Sequence, residues 1–221
     1  MRPWLEYECR VPVDGYDVIT DEYRRRKIRM LRPRSKRTSR FDLFERNRFA
    51  FVELAQTPLT EDGVKDFAGR YGLLSDALNA SNEWVSGRDI SLWFANIQAM
   101  HRTVELWQKS TETDDFSRLI REVQSSYIDL KPSGPPVALF LKIDPLSASP
   151  KLCIRPVTFQ EALWAQLILA IDGNVNLRAC FQCRKWFTLE AGRGRSDKEY
   201  CSNACRMRAY RKRKSRRPGE D

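Results

Sequence analysis

Four cysteines near the C-terminus, Cys180, Cys183, Cys201 and Cys205, are spaced C-x2-C, then seventeen residues, then C-x3-C. Each pair is close enough for two thiolates of one local turn to reach the same ion, and the two pairs supply the four sulfurs of a closed tetrahedral Zn²⁺ site. A tetrathiolate leaves no coordination position for substrate or water, so the site is expected to be structural. A catalytic zinc would need an open position and a nearby general base. The single histidine, His101, follows Ile97 by four residues in a helical pattern, which marks it as a helix residue rather than that base.

The cysteines lead into the densest run of positive charge in the chain: eight of the twelve residues from Arg206 to Arg217 are Arg or Lys. Ser202 is a good N-cap, so Cys205 belongs to the first turn of a final helix, where free amides and the helix dipole favour a thiolate. Ala204, Met207 and Tyr210 recur every three residues and are expected to lie against the finger. Arg206, Arg208, Arg211, Lys212, Arg213 and Lys214 then face outward to meet successive phosphates, joined by Arg193, Arg195 and Lys198 from the preceding loop. Between the cysteine pairs, Trp186 and Phe187 are expected to start a short hairpin, with Gly192 to Arg195 as its turn and Cys201 closing the return strand. Either aromatic could stack on an unpaired base, but filling the hairpin's small core is the stronger expectation. A knuckle, a hairpin and a helix that donates its first turn make a treble-clef-like finger.

The elements upstream read mainly as helices. Leu5 to Val11 alternates as a half-buried strand, stopped by Pro12 and Asp14-Gly15. Arg24 to Arg40 holds ten basic residues and no acid, and reads as a basic linker or arm. It could grip a second polyanion backbone, neutralise the acidic middle of the chain, or stay disordered. Phe41, Phe44, Phe51 and Leu54 fit one helix. Val64, Phe67, Ala68 and Tyr71 fit another, starting after Thr60 and ending near Gly72. Ile90, Trp93, Phe94, Ile97, Val104 and Trp107 form one long stripe. Thr113 with Asp114 and Asp115 caps a further helix bearing Phe116, Leu119, Ile120, Val123 and Tyr127. Lys131 to Pro136 breaks the helical run, and Val137 to Ile143 with Lys151 to Val157 read as a hairpin. Thr158 and Glu161 match a capping box before a helix with Leu163, Trp164, Leu167, Ile168 and Ile171 on its apolar face, ending at Asp172-Gly173.

The expected fold class is therefore mainly α within α+β: a helical N-terminal and central domain with a few short strands, plus a small C-terminal treble-clef-like zinc finger. The expected divisions are a strand and basic arm over 1–40, a mostly helical domain over 41–178, the finger with its basic helix over 179–214, and a disordered tail over 215–221. In 221 residues the net charge of +10 is uneven: residues 1–40 carry +6, 41–179 carry −4 and 180–221 carry +8. Clustered charge of this kind recruits polyanions. No apolar run reaches the ~20 residues needed to span a bilayer, and Met1 to Arg10 does not resemble a signal peptide, so a cytoplasmic protein is expected. In that reducing setting the cysteines read as metal ligands or buried thiols, with Cys9 and Cys153 as core residues. Paired catalytic carboxylates, a nucleophile with its base and a phosphate-binding glycine motif are all missing, and no enzyme is expected.

The stretch from Cys180 to Lys214, C-F-Q-C-R-K-W-F, a Gly/Arg-rich loop, then Y-C-S-N-A-C-R-M-R-A-Y-R-K-R-K, resembles the bacterial CGNR-type zinc fingers. These stand at the C-termini of proteins regarded as stress-induced transcription regulators, behind a mostly helical domain often called ABATE. The likeness covers about 35 of the 221 residues and implies a metal-ligand role for Cys180, Cys183, Cys201 and Cys205. Where those fingers read Cys-Gly-Asn-Arg, this chain reads Cys205-Arg206-Met207-Arg208, a departure from the motif. The resulting expectation is a bacterial or phage DNA-binding transcription regulator, with DNA preferred to RNA as partner, whose helical domain senses a ligand, binds a protein or forms a homodimer. The alternative is a zinc-stapled protein–protein interaction module, an adaptor or inhibitor that binds no nucleic acid.

Overall fold

The structure is a computed structural model, and it describes residues 4–23, 26–74, 89–113, 117–129, 137–143, 150–173, 175–189 and 197–215. Two compact units divide the chain, the first from Met1 to Leu169 and the second from Ala170 to Asp221.

In the first unit the N-terminal quarter is β-structure. Strands β1 (Trp4–Leu5), β2 (Glu8–Pro12), β3 (Tyr16–Tyr23), β4 (Arg26–Pro33) and β5 (Thr38–Asp42) precede the first helix. The expected alternation in β2 is realised: Tyr7, Cys9 and Val11 are buried while Glu8 and Arg10 are exposed. The basic stretch from Arg24 to Arg40, expected as an arm, is instead mostly strand. β3 and β4 pair antiparallel in the register Tyr16↔Pro33 to Tyr23↔Arg26, and β5 pairs with β2 in the register Glu8↔Asp42 to Pro12↔Thr38. The physical reason is that apolar residues lie among the charges and acids on neighbouring elements offset the cations. Met30 and Leu31 are buried. Arg29 Nη2 lies 2.6 Å from Glu61 Oε2, Arg34 Nε lies 2.8 Å from Asp17 Oδ1, and Arg10 and Arg40 share Glu8. The hydrogen bond from Arg29 holds the Glu61 carboxyl below its ordinary range.

The single helix expected across Phe41 to Leu54 is broken in two, α1 (Leu43–Arg46) and α2 (Ala50–Ala55), with Phe41 left in β5. Polar side chains set the break. Asp42 caps α1 by accepting from Glu45 N at 3.0 Å while also accepting from Tyr7 N, and Asn47 Oδ1 accepts from Phe49 N at 2.9 Å. Such local bonds compete with a continuous helix. Helix α3 (Glu61–Tyr71) has the expected limits: Thr60 Oγ1 accepts from Gly63 N at 3.1 Å, and Gly72, at φ 100°, ends it. Helix α4 (Ile90–Thr113) buries Ile90, Trp93, Ile97, Val104 and Trp107 as its stripe predicts, with Phe94 half-buried. Helix α5 (Ser117–Asp129) buries Leu119 but exposes Ile120, and its expected cap at Asp114 and Asp115, with Phe116, lies outside the described residues.

Strands β6 (Val137–Ile143) and β7 (Pro150–Pro156) form the expected hairpin, and β1 adds to β7 in parallel, a pairing that two residues of sequence could not announce. The turn over 144–149 and the break over 131–136 lie outside the described residues. Helix α6 (Phe159–Asp172) carries the expected capping box, Thr158 N donating to Glu161 Oε2 at 2.9 Å and Glu161 N to Thr158 Oγ1 at 3.2 Å. Leu163, Trp164 and Leu167 are buried, whereas Ile168 is exposed. An aromatic cluster centres the core: the Phe67 ring lies 4.9 Å from Tyr71, 6.0 Å from Trp93 and 6.1 Å from Phe159. Gln166, also buried, accepts from Phe51 N and donates to Asn47 O. His101 lies on α4, as its spacing from Ile97 predicts, with its Nδ1 2.9 Å from Ala55 O. Cys9 is buried, and the side chain of Cys153 in β7 lies outside the described residues. The fold is thus mixed α+β, with more strand than the helical reading anticipated.

In the second unit, β8 (Asn176–Ala179) and β9 (Trp186–Leu189) pair antiparallel, and helix α7 (Asn203–Lys214) ends the described chain at Ser215.

Candidate metal centre and polyanion-binding helix

The metal centre is built on the β8–β9 turn and the start of α7. Cys180 follows β8, and its N–H donates to Lys185 O at 2.9 Å while its carbonyl accepts from Arg184 N at 2.8 Å. This closes a tight knuckle in which Arg184 adopts φ 61°, the one non-glycine residue with positive φ among the described residues. A side chain in that region is uncommon and marks a turn held by its surroundings. Phe181 N donates to Glu199 O at 3.1 Å, which ties the knuckle to the segment bearing the second cysteine pair. Ser202 caps α7 as expected, its Oγ accepting from Cys205 N at 3.3 Å, and so sets Cys205 in the first turn.

These constraints bring all four expected ligands together. The four Sγ atoms lie within 4.8 Å of one another, with Cys183 to Cys201 at 3.7 Å and Cys201 to Cys205 at 3.5 Å. For Zn–S bonds of ~2.3 Å a tetrahedron has edges of ~3.8 Å, so the sulfurs fit a single ion and could bind one. Cys180 and Cys205 are buried, Cys183 and Cys201 half-buried. Four sulfurs this close cannot all carry charge unaided, and their acidities diverge accordingly. Burial opposes ionisation of Cys180, yet backbone N–H groups of Cys201, Cys183 and Gln182 aimed at its sulfur bring the thiol down to about 6. Burial, together with the sulfurs of Cys205, Cys183 and Cys180, pushes Cys201 up to about 12. A cation amid the sulfurs would remove that conflict, because coordination deprotonates a thiol.

Two details differ from expectation. The hairpin partner of Trp186–Leu189 lies before the first cysteine, not after it, so the knuckle itself is the hairpin turn, and Cys201 sits in a bend rather than a return strand. The alternation of Val175, Leu177 and Ala179 is the available signal, and it is short. Trp186 and Phe187 are half-buried, with Lys198 Nζ 5.3 Å over the Phe187 ring. The second difference is the seam of α7. Ala204, Met207 and Tyr210 are exposed, and the helix packs instead through Cys205 and Ala209. The cysteine cluster explains this: with the Cys205 sulfur gathered against the other three, the residues on its side of the helix turn inward whatever their hydrophobicity.

Of the residues expected to bind polyanions, Lys198, Arg206, Arg208, Arg211, Lys212 and Arg213 are exposed. None of these six has an ion-pair partner among the described residues, and α7 contains no acidic residue. Lys214 lies in α7 with its side chain undescribed, and Arg193 and Arg195 lie outside the described residues, as does the tail from 216. A cleft of about 700 Å³ opens beside the start of α7, lined by Asp197, Lys198, Glu199, Tyr200, Ser202, Asn203 and Arg206. Sequence reading missed this cleft and the exposed Phe181, whose ring lies 6.5 Å from Tyr200. Among the described residues, no helix is long and apolar enough to cross a membrane. Comparison with protein-family models, with characterised proteins and with solved structures returned no match.

Proposed function

We propose that this protein is a zinc-dependent nucleic-acid-binding protein, a DNA-binding transcription regulator whose four-cysteine centre orders a treble-clef-like C-terminal finger. The observation that carries the reading is the junction of the two features: Cys205, one of four clustered sulfurs, also anchors a helix whose described cations have no ion-pair partner among the described residues. Zinc suits a closed set of four thiolates, and iron is the principal competitor for such a site. The ion performs no reaction in this reading. It fixes the helix so that its cations keep constant spacing, which lowers the ordering cost of meeting a regular row of phosphates. The contrast with the first unit supports the assignment, since Arg29, Arg34 and Arg40 there face carboxylates.

The test is a titration of full-length, metal-analysed protein against duplex DNA over a range of salt. Six exposed cations, Lys198, Arg206, Arg208, Arg211, Lys212 and Arg213, predict a log–log slope of about −5. One zinc per chain with a steep slope is the expected result. A flat salt response, or capture of an acidic protein that persists after nuclease treatment with no DNA retained, would overturn it.

A further inference from the structure

We infer that α7 reads base edges from within the major groove of duplex DNA, with Asn203, Met207, Tyr210 and Arg211 toward the bases and cations on each side toward the two phosphate backbones. The inference rests on the nucleic-acid reading above and extends it from charge attraction to sequence recognition.

The argument begins with what α7 buries. At ~100° per residue, Cys205 and Ala209 lie close together on the helix circumference, and among its described residues only these two are not exposed. The point opposite their midpoint is Met207, 45% exposed. Asn203 precedes it and Tyr210, 54% exposed, follows it by about one turn along the axis, both near the same line, and Arg211 lies just across that line. Arg206 and Arg208 fall on opposite flanks, each about 100° from the apex, with Arg213 and Lys212 further round on the same two sides, about 120° and 140° from it. From Asn203 to Tyr210 the apex of the exposed face is thus uncharged, and the positive charge stands at its edges.

That distribution discriminates between partners. A helix lying on one flat acidic surface gains most from cations at its apex, the point of closest approach, and an exposed methionine there gains nothing. A helix inserted in a groove has phosphates on both flanks and base edges beneath it. The major groove is ~12 Å wide, and a helix with its side chains is ~10–12 Å across, so both flanks meet backbone together. The apex residue types match the chemistry of base edges: Asn pairs bidentately with adenine N6 and N7, Arg with guanine O6 and N7, and apolar groups pack on the thymine methyl. The twelve residues of α7 span ~18 Å, about five base pairs at ~3.4 Å each. Lys198, beside the start of the helix with Asn203 and Arg206, adds a cation at that end.

The experiment is selection from a randomised duplex pool by the full-length, zinc-loaded protein, followed by affinity measurements on the enriched and an unrelated duplex. Variants Asn203→Ala, Met207→Ala and Arg213→Gln are compared after confirming unchanged zinc content. The expected result is an enriched motif of about four or five base pairs per protomer. Asn203→Ala and Met207→Ala should lower the ratio of specific to non-specific affinity, by roughly 5- to 150-fold for Asn203, with the salt slope unchanged. Arg213→Gln should weaken both duplexes equally and reduce the slope by about 0.9. Duplex binding with a steep salt slope but no enriched motif, or apex variants that keep the full ratio, would overturn this inference while leaving the proposed function intact. Failure to retain any duplex would remove both.

Discussion

Metal removal should unfold the second unit and spare the first. Among the described residues of the second unit only Ala170, Leu177, Cys180 and Cys205 are buried, and two of those four are ligands. The one sizeable apolar side chain, Leu177, contributes ~1.5–3 kcal/mol on burial. A structural zinc would contribute ~10–16 kcal/mol to a module of this kind, several times as much, and the remaining sizeable apolar side chains described in the unit, such as Trp186 and Phe187, are at most half-buried. By contrast, the first unit buries Trp93, Trp107, Trp164, Phe51, Phe67 and Phe159 nearly completely. Amide exchange on the full-length protein separates the two outcomes. The N–H groups of Cys180, Phe181, Arg184, Cys205 and Arg206 donate to Lys185 O, Glu199 O, Cys180 O, Ser202 Oγ and Ser202 O, at 2.8 to 3.3 Å. After chelation, or in Cys180→Ser, all five should lose protection together while α4 keeps its own. Any change in tryptophan emission should come from the half-buried Trp186 alone, because Trp93, Trp107 and Trp164 are buried in the first unit. Retained protection at these five amides in protein verified as metal-free would refute the claim that the ion holds the unit together.

Three further outcomes test the first unit. Phe67→Ala, which removes the ring shared by Tyr71, Trp93 and Phe159, should cost about 3–5 kcal/mol in urea unfolding. In Gly72→Ala the new Cβ would sit 2.8 Å from Arg10 O in a backbone at φ 100°, and a loss of about 1–3 kcal/mol is expected, measured by the urea midpoint. Burial pushes the Glu161 carboxyl above its ordinary 4.5, against hydrogen bonds from Thr158 and Val157. A raised folded value means that the stabilisation tied to the protonated form is complete below 4.5 and is lost as pH rises through the folded value. Glu161→Gln keeps an acceptor for both N–H groups and should flatten this decline, so the urea midpoint of the variant should change less than that of the parent between acidic and neutral pH.

The parts of the fold legible in the sequence are those set by local rules. The limits of α3 follow from Thr60 and Gly72, the start of α6 from the Thr158–Glu161 box, and the face of α4 from a stripe long enough to exclude a strand. The segment from Arg24 to Arg40 misled because its charge was conspicuous and its pairing was remote. β5 pairs with β2, far earlier in the chain, and the acids that offset its neighbours, such as Glu61, lie in other elements. The break at Asn47 was equally hidden, since Asn47 Nδ2 donates to Glu53 and also to Tyr71, and the second lies across a separation no window of helix periodicity covers.

For the site, the sequence by itself determined which atoms could hold an ion and where the positive charge lies, because ligand spacing and charge are properties of residues and need no neighbours. Tertiary structure alone decided which side of α7 faces outward. Hydrophobic spacing pointed to Ala204, Met207 and Tyr210 as the packed seam, yet the gathering of Cys205 with the other three sulfurs turned Cys205 and Ala209 inward and left Met207 and Tyr210 in solvent. Coordinating a metal at such a cluster would outweigh burying one methionine, by ~10–16 kcal/mol against ~1.5–3 kcal/mol, and the place of Cys205 among the four sulfurs fixes the rotation of the helix.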